Sequence, residues 1–322
     1  MTTEHGPGNR LEYTGDLTPV FSRALAAYDL GTFGGYAVAP VGYEDFNAIV
    51  DTQTGPYFIK IFSSAREPGE ISRYEAIMKN VLAAGVNHPR MYQYGDGLVY
   101  HDDATKLSMV AMEYIQGQTF YELNRSPQDE ELQRVLSQAV LIHKVPHHPP
   151  FLFDNWAIPN VGKTYMQVKK FLDSEYRSVV ERIIEELQEM DTTALPHCLV
   201  HGDLTKSNVL RGSDGDIFVL DFSVANWYPR IQELAVITGA LLNHHDRSES
   251  FGELLEKVIR GYVAAGGQLT VDEARALPAF ARAQYAAEFM GATREKHIRG
   301  IETPETEQWL RLGQRGLRLA YA

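Results

Sequence analysis

His201-Gly202-Asp203-Leu204-Thr205-Lys206-Ser207-Asn208-Val209-Leu210, with Asp221-Phe222 following, is the stretch that decides the fold. Before it, Cys198-Leu199-Val200 is a short apolar run of strand type bounded by Pro196. Val209-Leu210 begins a second short strand. Gly212-Ser213-Asp214-Gly215-Asp216 supplies turn chemistry, with an Asp-Gly step that tolerates positive φ. Ile217-Phe218-Val219-Leu220 is the return strand. Such a hairpin brings Asp221 back beside the loop containing Asp203 and Asn208. Without such a turn the three polar groups could not converge on one metal.

An Asp followed five residues later by an Asn, with an Asp-Phe further on, is the order found in kinase phosphoryl-transfer sites. Protein kinases usually carry Arg where Gly202 sits. His-Gly-Asp-x-x-x-x-Asn with a later Asp-Phe resembles the aminoglycoside phosphotransferase and choline kinase-like family of small-molecule kinases. The resemblance implies an α+β, bilobal protein-kinase-like fold, with a small antiparallel-sheet N-lobe plus a helix and a larger, mostly helical C-lobe. It implies ATP and Mg²⁺ as cofactors. Asp203 would take the proton of an attacking hydroxyl, while Asn208 and Asp221 would hold Mg²⁺ against the phosphates.

The rest of the chain is read around this hairpin. Residues 1–16 form a polar leader, 17–113 a nucleotide-binding lobe and 114–322 a catalytic and substrate-binding lobe. Thr18 as cap, with Pro19 in the first turn, starts a helix that runs to Leu30 and stops at Gly31. Three antiparallel strands follow: one from Tyr36, one over Ala48-Ile49-Val50 and one over Tyr57–Phe62. Gly42 to Asn47 is the turn between the first two. Lys60 lies inside the third strand on the face of Phe58 and Phe62. Glu70 to Gly85 reads as a helix with an apolar stripe of Ile71, Tyr74, Met78, Val81 and Leu82. Glu75 borders that stripe on one side and Glu70 on the other.

The resemblance assigns roles here too. Lys60 would pair with the α/β-phosphates of the nucleotide, and a helix glutamate would brace it. The family's Glu-Ala-x-x-x pattern selects Glu75-Ala76 over Glu70. After the apolar strand Leu107–Met112, Glu113 C=O and Ile115 N–H would read the adenine. Glu233-Leu234-Ala235 stands where the family has Asp-Leu-Ala, and Glu233 is expected to brace the catalytic loop. No Gly-x-Gly-x-x-Gly loop is present, Ser223 replaces the glycine of Phe-Gly, and no Ala-Pro-Glu motif follows. These departures count against a protein Ser/Thr kinase. The intact Asp203 counts against a nucleotide-binding regulatory protein without turnover.

The acceptor is a small-molecule hydroxyl. Asp154, Asn155, Trp156 and Trp227 are polar and aromatic residues outside helix cores, candidates for its pocket; Lys206 is a candidate for neutralising the transferred phosphoryl group. The equally open reading is ordinary packing for the first four and a solvent-facing loop lysine for the last. A net charge of −12 argues against nucleic acid and would attract a cationic acceptor. No apolar run approaches a membrane span, the amino terminus lacks the features of a secretory signal, and the single cysteine, Cys198, cannot form an internal disulfide. A cytoplasmic enzyme is expected. Asp129 to His143 reads as a core helix. From Gln232 onwards, helices alternate with breaks at Gly266-Gly267, Gly291 and Pro304.

Overall fold

The computed structural model describes residues 11–39 and 44–321. The chain divides into two compact units, one of residues up to 79 with 88–117, the other of 80–87 with 118–322.

The first unit is an antiparallel sheet with a helix on each face. In chain order its elements are α1 (Thr18–Ala27), β1 (Phe33–Val38), β2 (Phe46–Thr52), β3 (Gly55–Ile61), α2 (Pro68–Ala83), β4 (Tyr100–His101) and β5 (Ser108–Glu113). The strand order is β1-β2-β3-β5-β4, in which β5 is the apolar strand expected over Leu107–Met112 and the two-residue β4 is the strand not expected. Alternation explains the layers. Phe46, Ala48 and Val50 of β2, with Ile59 and Ile61 of β3, turn to one face and bury against Val20, Phe21, Ala24 and Leu25 of α1. Burying a large apolar side chain of this kind contributes about 1.5–3 kcal/mol. Lys60 points to the other face. There α2 lies across it, with the Tyr74 ring 5.7 Å from the ammonium and 5.2 Å from the Phe62 ring. Helix α1 starts one position earlier than its sequence suggests. Asp16 accepts from Thr18 N–H at 2.9 Å, so Asp16 does the capping and Thr18 is already helical.

The second unit begins with the last turn of α2 because Asn87 belongs to it. The Asn87 carbonyl accepts from Val219 N–H at 2.9 Å, its side-chain amide donates to Ile217 O at 2.7 Å, and its N–H donates to Gln138 at 2.7 Å. After β6 (Gly117–Thr119) come α3 (Asp129–His143), α4 (Val161–Val168), α5 (Ser174–Gln188), β7 (His197–Val200), β8 (Val209–Gly212), β9 (Ile217–Val219) and β10 (Asn226–Pro229). Then follow α6 (Ile231–Val236), a π-helical turn over Ile237–Leu241, α7 (Phe251–Ala264), α8 (Val271–His297) and α9 (Pro304–Ala320). The strands pair as β10-β7 and β6-β8-β9.

Helix α8 is the axis of this unit and packs on α4, α5, α6 and α9. It starts in a reciprocal cap, where Thr270 accepts from Glu273 N–H at 3.2 Å and Glu273 accepts from Thr270 N–H at 2.8 Å. Gly291 does not break it, contrary to the sequence reading. A Cβ there would stand 2.4 Å from the ring of Trp156, so this glycine marks an aromatic packed against the helix rather than a helix end. Likewise a Cβ at Gly316 of α9 would stand 2.0 Å from the Tyr285 ring of α8.

Candidate active site

The catalytic hairpin has the form its residues dictate. Buried Cys198, Leu199 and Val200 carry β7 into the interior, and β10 pairs beside it with Asn226 opposite Val200. The chain then turns at Gly202, whose φ of +80° is the left-handed conformation that favours glycine. Strands β8 and β9 pair Val209 with Val219 and Leu210 with Phe218, and Gly215 turns between them at φ +92°. Leu220 N–H donates to Asn208 O at 2.8 Å, which sets Asp221 next to the loop.

His201 ties the two strands together. Its ring is fully buried, with Nε2 2.8 Å from Leu220 O and Nδ1 3.1 Å from Asp203 N. A carbonyl can only accept and a backbone N–H can only donate, so Nε2 carries the proton and Nδ1 accepts. Burial pushes the imidazole down to about 4, which keeps it in this neutral form.

Asp203 and Asn208 meet directly. The Asn208 amide donates to the Asp203 carboxylate at 2.6 Å and to the Asp203 carbonyl at 3.1 Å. With its amide nitrogen used this way, Asn208 has Oδ1 left as a ligand oxygen. Asp221 takes φ +57°, a left-handed conformation that Asp tolerates better than most residues. Its Oδ1 accepts from Ser223 N–H at 3.1 Å and from the Ser223 hydroxyl at 2.5 Å, so the serine that replaces the expected glycine orients the carboxylate. Asn208 and Asp221 together supply hard oxygen donors with one carboxylate. That set fits Mg²⁺, which is bound by few protein oxygens and completes its shell with phosphates and water.

Glu233 braces the loop from α6, as the sequence reading expects. Its Oε2 accepts from the N–H groups of His201 and Gly202, while Oε1 is buried with no hydrogen-bond partner among the described residues. Burial pushes this carboxyl up to about 7. A folded value above the ordinary 4.5 means that its contribution to stability is fully present below the ordinary value and is lost as pH rises through about 7. Wild type should therefore lose thermal stability relative to Glu233→Gln as pH rises from 4.5 to 7. Paired melting curves across that range cancel the opposing titration of His201. A pH-independent difference would show that Glu233 does not titrate there.

In the first unit, Lys60 is 3% exposed and lies 3.2 Å from Asp45. Asp45 also accepts from Arg66 through both oxygens, at 2.7 and 2.9 Å, and from Ser63 N–H at 3.0 Å. Asp45 is not evident in the sequence as a partner of Lys60, nor Arg66 as a second cation on that carboxylate, because both lie outside β3 and α2. Of the turn expected over Gly42 to Asn47, Gly42 and Tyr43 lie outside the described residues.

The expected Lys60–Glu75 pair is not formed. Glu75 accepts from Leu98 N–H at 2.7 Å and lies 3.1 Å from Lys79. The cause is helical phase. Tyr74 is the α2 residue against Lys60, and Glu70, one turn earlier, shares its face, whereas Glu75 is rotated towards Gly97 and Leu98. Glu113 ends β5 with its N–H on Arg90 O at 2.8 Å, and Ile115 N–H makes no hydrogen bond among the described residues.

Lys206 is also corrected. It faces neither solvent nor an acceptor: the side chain is fully buried, and its ammonium donates to the carbonyls of Ala240, at 2.5 Å, and Asn243, at 2.8 Å. The acceptor candidates are placed as follows. Asp154 accepts from Trp156 N–H at 2.9 Å in a turn, Asn155 accepts from Thr164 and Gln167, and the Trp156 ring packs on Gly291. Trp227, on β10, stacks on His148 with centroids 4.6 Å apart.

The phosphotransferase enzyme family model matches residues 37–279. The homoserine kinase of Parvibaculum lavamentivorans is 23% identical over 210 residues, covering 62% of each protein. Among solved structures, a spectinomycin phosphotransferase in complex with ADP and spectinomycin superimposes with a TM-score of 0.68 at 15% identity, covering 94% of this chain and 97% of that one. A microcompartment-associated aminopropanol kinase gives a TM-score of 0.68 at 16% identity, covering 94% and 96%. These likenesses establish the protein-kinase-like fold. With three quarters of its length inside the family model and the Asp203, Asn208 and Asp221 hairpin in place, the chain belongs to the phosphotransferase enzyme family.

Proposed function

We propose that the protein transfers the γ-phosphoryl group of ATP to the hydroxyl of a small amino alcohol. The observation that carries this reading is the 2.6 Å bond between the Asn208 amide and the Asp203 carboxylate, on a loop braced by His201 and Glu233. Asp203 receives the acceptor hydroxyl and takes its proton as the oxygen attacks the γ-phosphorus. The bond to the β-phosphate oxygen breaks and ADP departs. Lys60 orients the α/β-phosphates, with Glu70 as the candidate brace because it shares the face of Tyr74. Glu113 C=O and Ile115 N–H serve the adenine. Asn208 and Asp221 hold Mg²⁺, which neutralises charge on the phosphates.

Two supports favour an amino alcohol. The names of two of the similar proteins, homoserine kinase and aminopropanol kinase, both refer to molecules carrying an amine and a hydroxyl. The net charge of −12 attracts cations over long range. Asp154, Asn155, Trp156 and Trp227 remain the candidate acceptor contacts. Among the described residues no helix is long and apolar enough to cross a membrane, and use of ATP favours the cytoplasm.

The test is Mg²⁺-dependent ADP release across homoserine, aminopropanol, ethanolamine, choline, aminoglycosides and spectinomycin. An amino alcohol should stimulate turnover well above the others. Stimulation by an aminoglycoside alone would replace the acceptor class. ATP binding with no stimulated turnover by any acceptor would favour a regulatory nucleotide-binding role.

A further inference from the structure

Lys206 stands three residues after Asp203 and two before Asn208, in the middle of the catalytic loop, yet its side chain is fully buried on the helical side. Its carbonyl accepts from Tyr121 N–H at 3.0 Å. Its ammonium spans the end of the π-helical turn, donating to Ala240 O at 2.5 Å and Asn243 O at 2.8 Å. Carbonyls at a helix end lack intrahelical donors, and a lysine ammonium is suited to satisfy them. The wide turn itself is closed by Leu242 N–H on Ile237 O at 2.9 Å. Such π-turns are frequent at functional sites.

The anchor continues outward. Asn243 donates to Leu312 O at 2.7 Å and accepts from Arg315 at 2.9 Å, so α9 holds the residue that holds Lys206. Glu288 of α8 is a buried acidic group whose charge, where present, favours that of Lys206. It is 2% exposed. Burial opposes the charged form of both groups, and each charge favours the other. Asp246 adds attraction to Lys206, while Arg315 and Arg247 oppose it.

We infer that Lys206 is a positioning residue: its two carbonyl bonds pin the Asp203–Asn208 loop to the π-turn and, through Asn243, to α9. The kinetic arm of its test rests on the phosphotransferase reading; the amide-exchange arm does not.

Lys206→Met, Glu288→Gln and the double variant are to be compared with wild type in the full chain. The measurements are melting, hydrogen exchange of the 203–208 amides with Mg·ADP present, and steady-state kinetics with the acceptor found above. Lys206→Met leaves a buried carboxylate uncompensated and should melt lower. The double variant removes both charges and should recover most of that loss. Its 203–208 amides should still exchange roughly tenfold or more faster than wild type. Its kcat should fall roughly 10- to 100-fold, with KM for ATP little changed. Glu288→Gln keeps both carbonyl bonds and should leave the exchange unaltered. Wild-type exchange or wild-type kcat in the double variant overturns the inference. If Lys206→Met cannot be folded, Glu288→Gln still decides: loosening of the 203–208 amides in that variant overturns the carbonyl anchor. Absence of turnover in wild type would instead count against the phosphotransferase reading, leaving the exchange result to judge the anchor.

Discussion

Asp203→Asn should abolish most turnover while leaving the protein folded. An amide has the shape of the carboxylate, and its oxygen can still accept from the Asn208 amide, a bond of 2.6 Å in wild type. His201 reaches residue 203 through the backbone N–H, so its contact is untouched by the substitution. Only the ability to accept a proton, and the negative charge that orients the acceptor hydroxyl, are lost. General-base contributions are typically ~10²–10⁴-fold, and kcat should fall by that much. KM for ATP should change little, because this side chain serves the acceptor. Steady-state kinetics together with a melting curve check the prediction. A variant that keeps more than a tenth of wild-type kcat would show that Asp203 neither positions nor deprotonates the acceptor.

Asp221→Asn should be equally damaging for a different reason. Asn tolerates the φ of +57°, and its side-chain oxygen can still accept the two bonds from Ser223, so the local turn survives. The charge proposed to hold Mg²⁺ is gone. Metal stabilisation of a phosphoryl-transfer transition state is worth several kcal/mol, which corresponds to ~10³-fold in rate. The distinguishing measurement is nucleotide binding with and without Mg²⁺. Wild type should bind ADP more tightly with the metal, and the variant should respond far less. Equal Mg²⁺ dependence in both proteins would remove Asp221 from the metal site.

Much of this site was legible in contiguous residues. The turn 212–216, the strands on either side of it and the return of Asp221 follow from an alternating apolar pattern interrupted by Asp and Gly. The structure forms β8 over Val209–Gly212 and β9 over Ile217–Val219. The role of Glu233 was legible through resemblance, and the structure gives it the N–H groups of His201 and Gly202. The pairing strand β10 was not legible. Its Asn-Trp-Tyr-Pro is too short to show alternation and is recognised only once β7 lies beside it. Gly291 misled for a related reason. Local rules read an interior glycine as a weak point, and the ring of Trp156, far away in sequence, turns it into a packing contact.

By itself, the sequence determined the hairpin and the positions of Asp203, Asn208 and Asp221 along it, and the kinase-like fold was legible only through the resemblance those residues carry. The hairpin and those positions rest on turn chemistry, strand alternation and short fixed spacings, all of which act between neighbours in the chain. Tertiary structure alone decided the partners of Lys60, Glu75 and Lys206. Lys60 lies with Asp45 and Arg66, Glu75 turns to Leu98, and Lys206 turns inward to the π-turn beyond α6. A charged side chain carries no record in its neighbours of which distant group it will meet. That depends on the rotation of a helix about its axis and on which carbonyls are left without donors once the helices have packed, and both are set by the whole core.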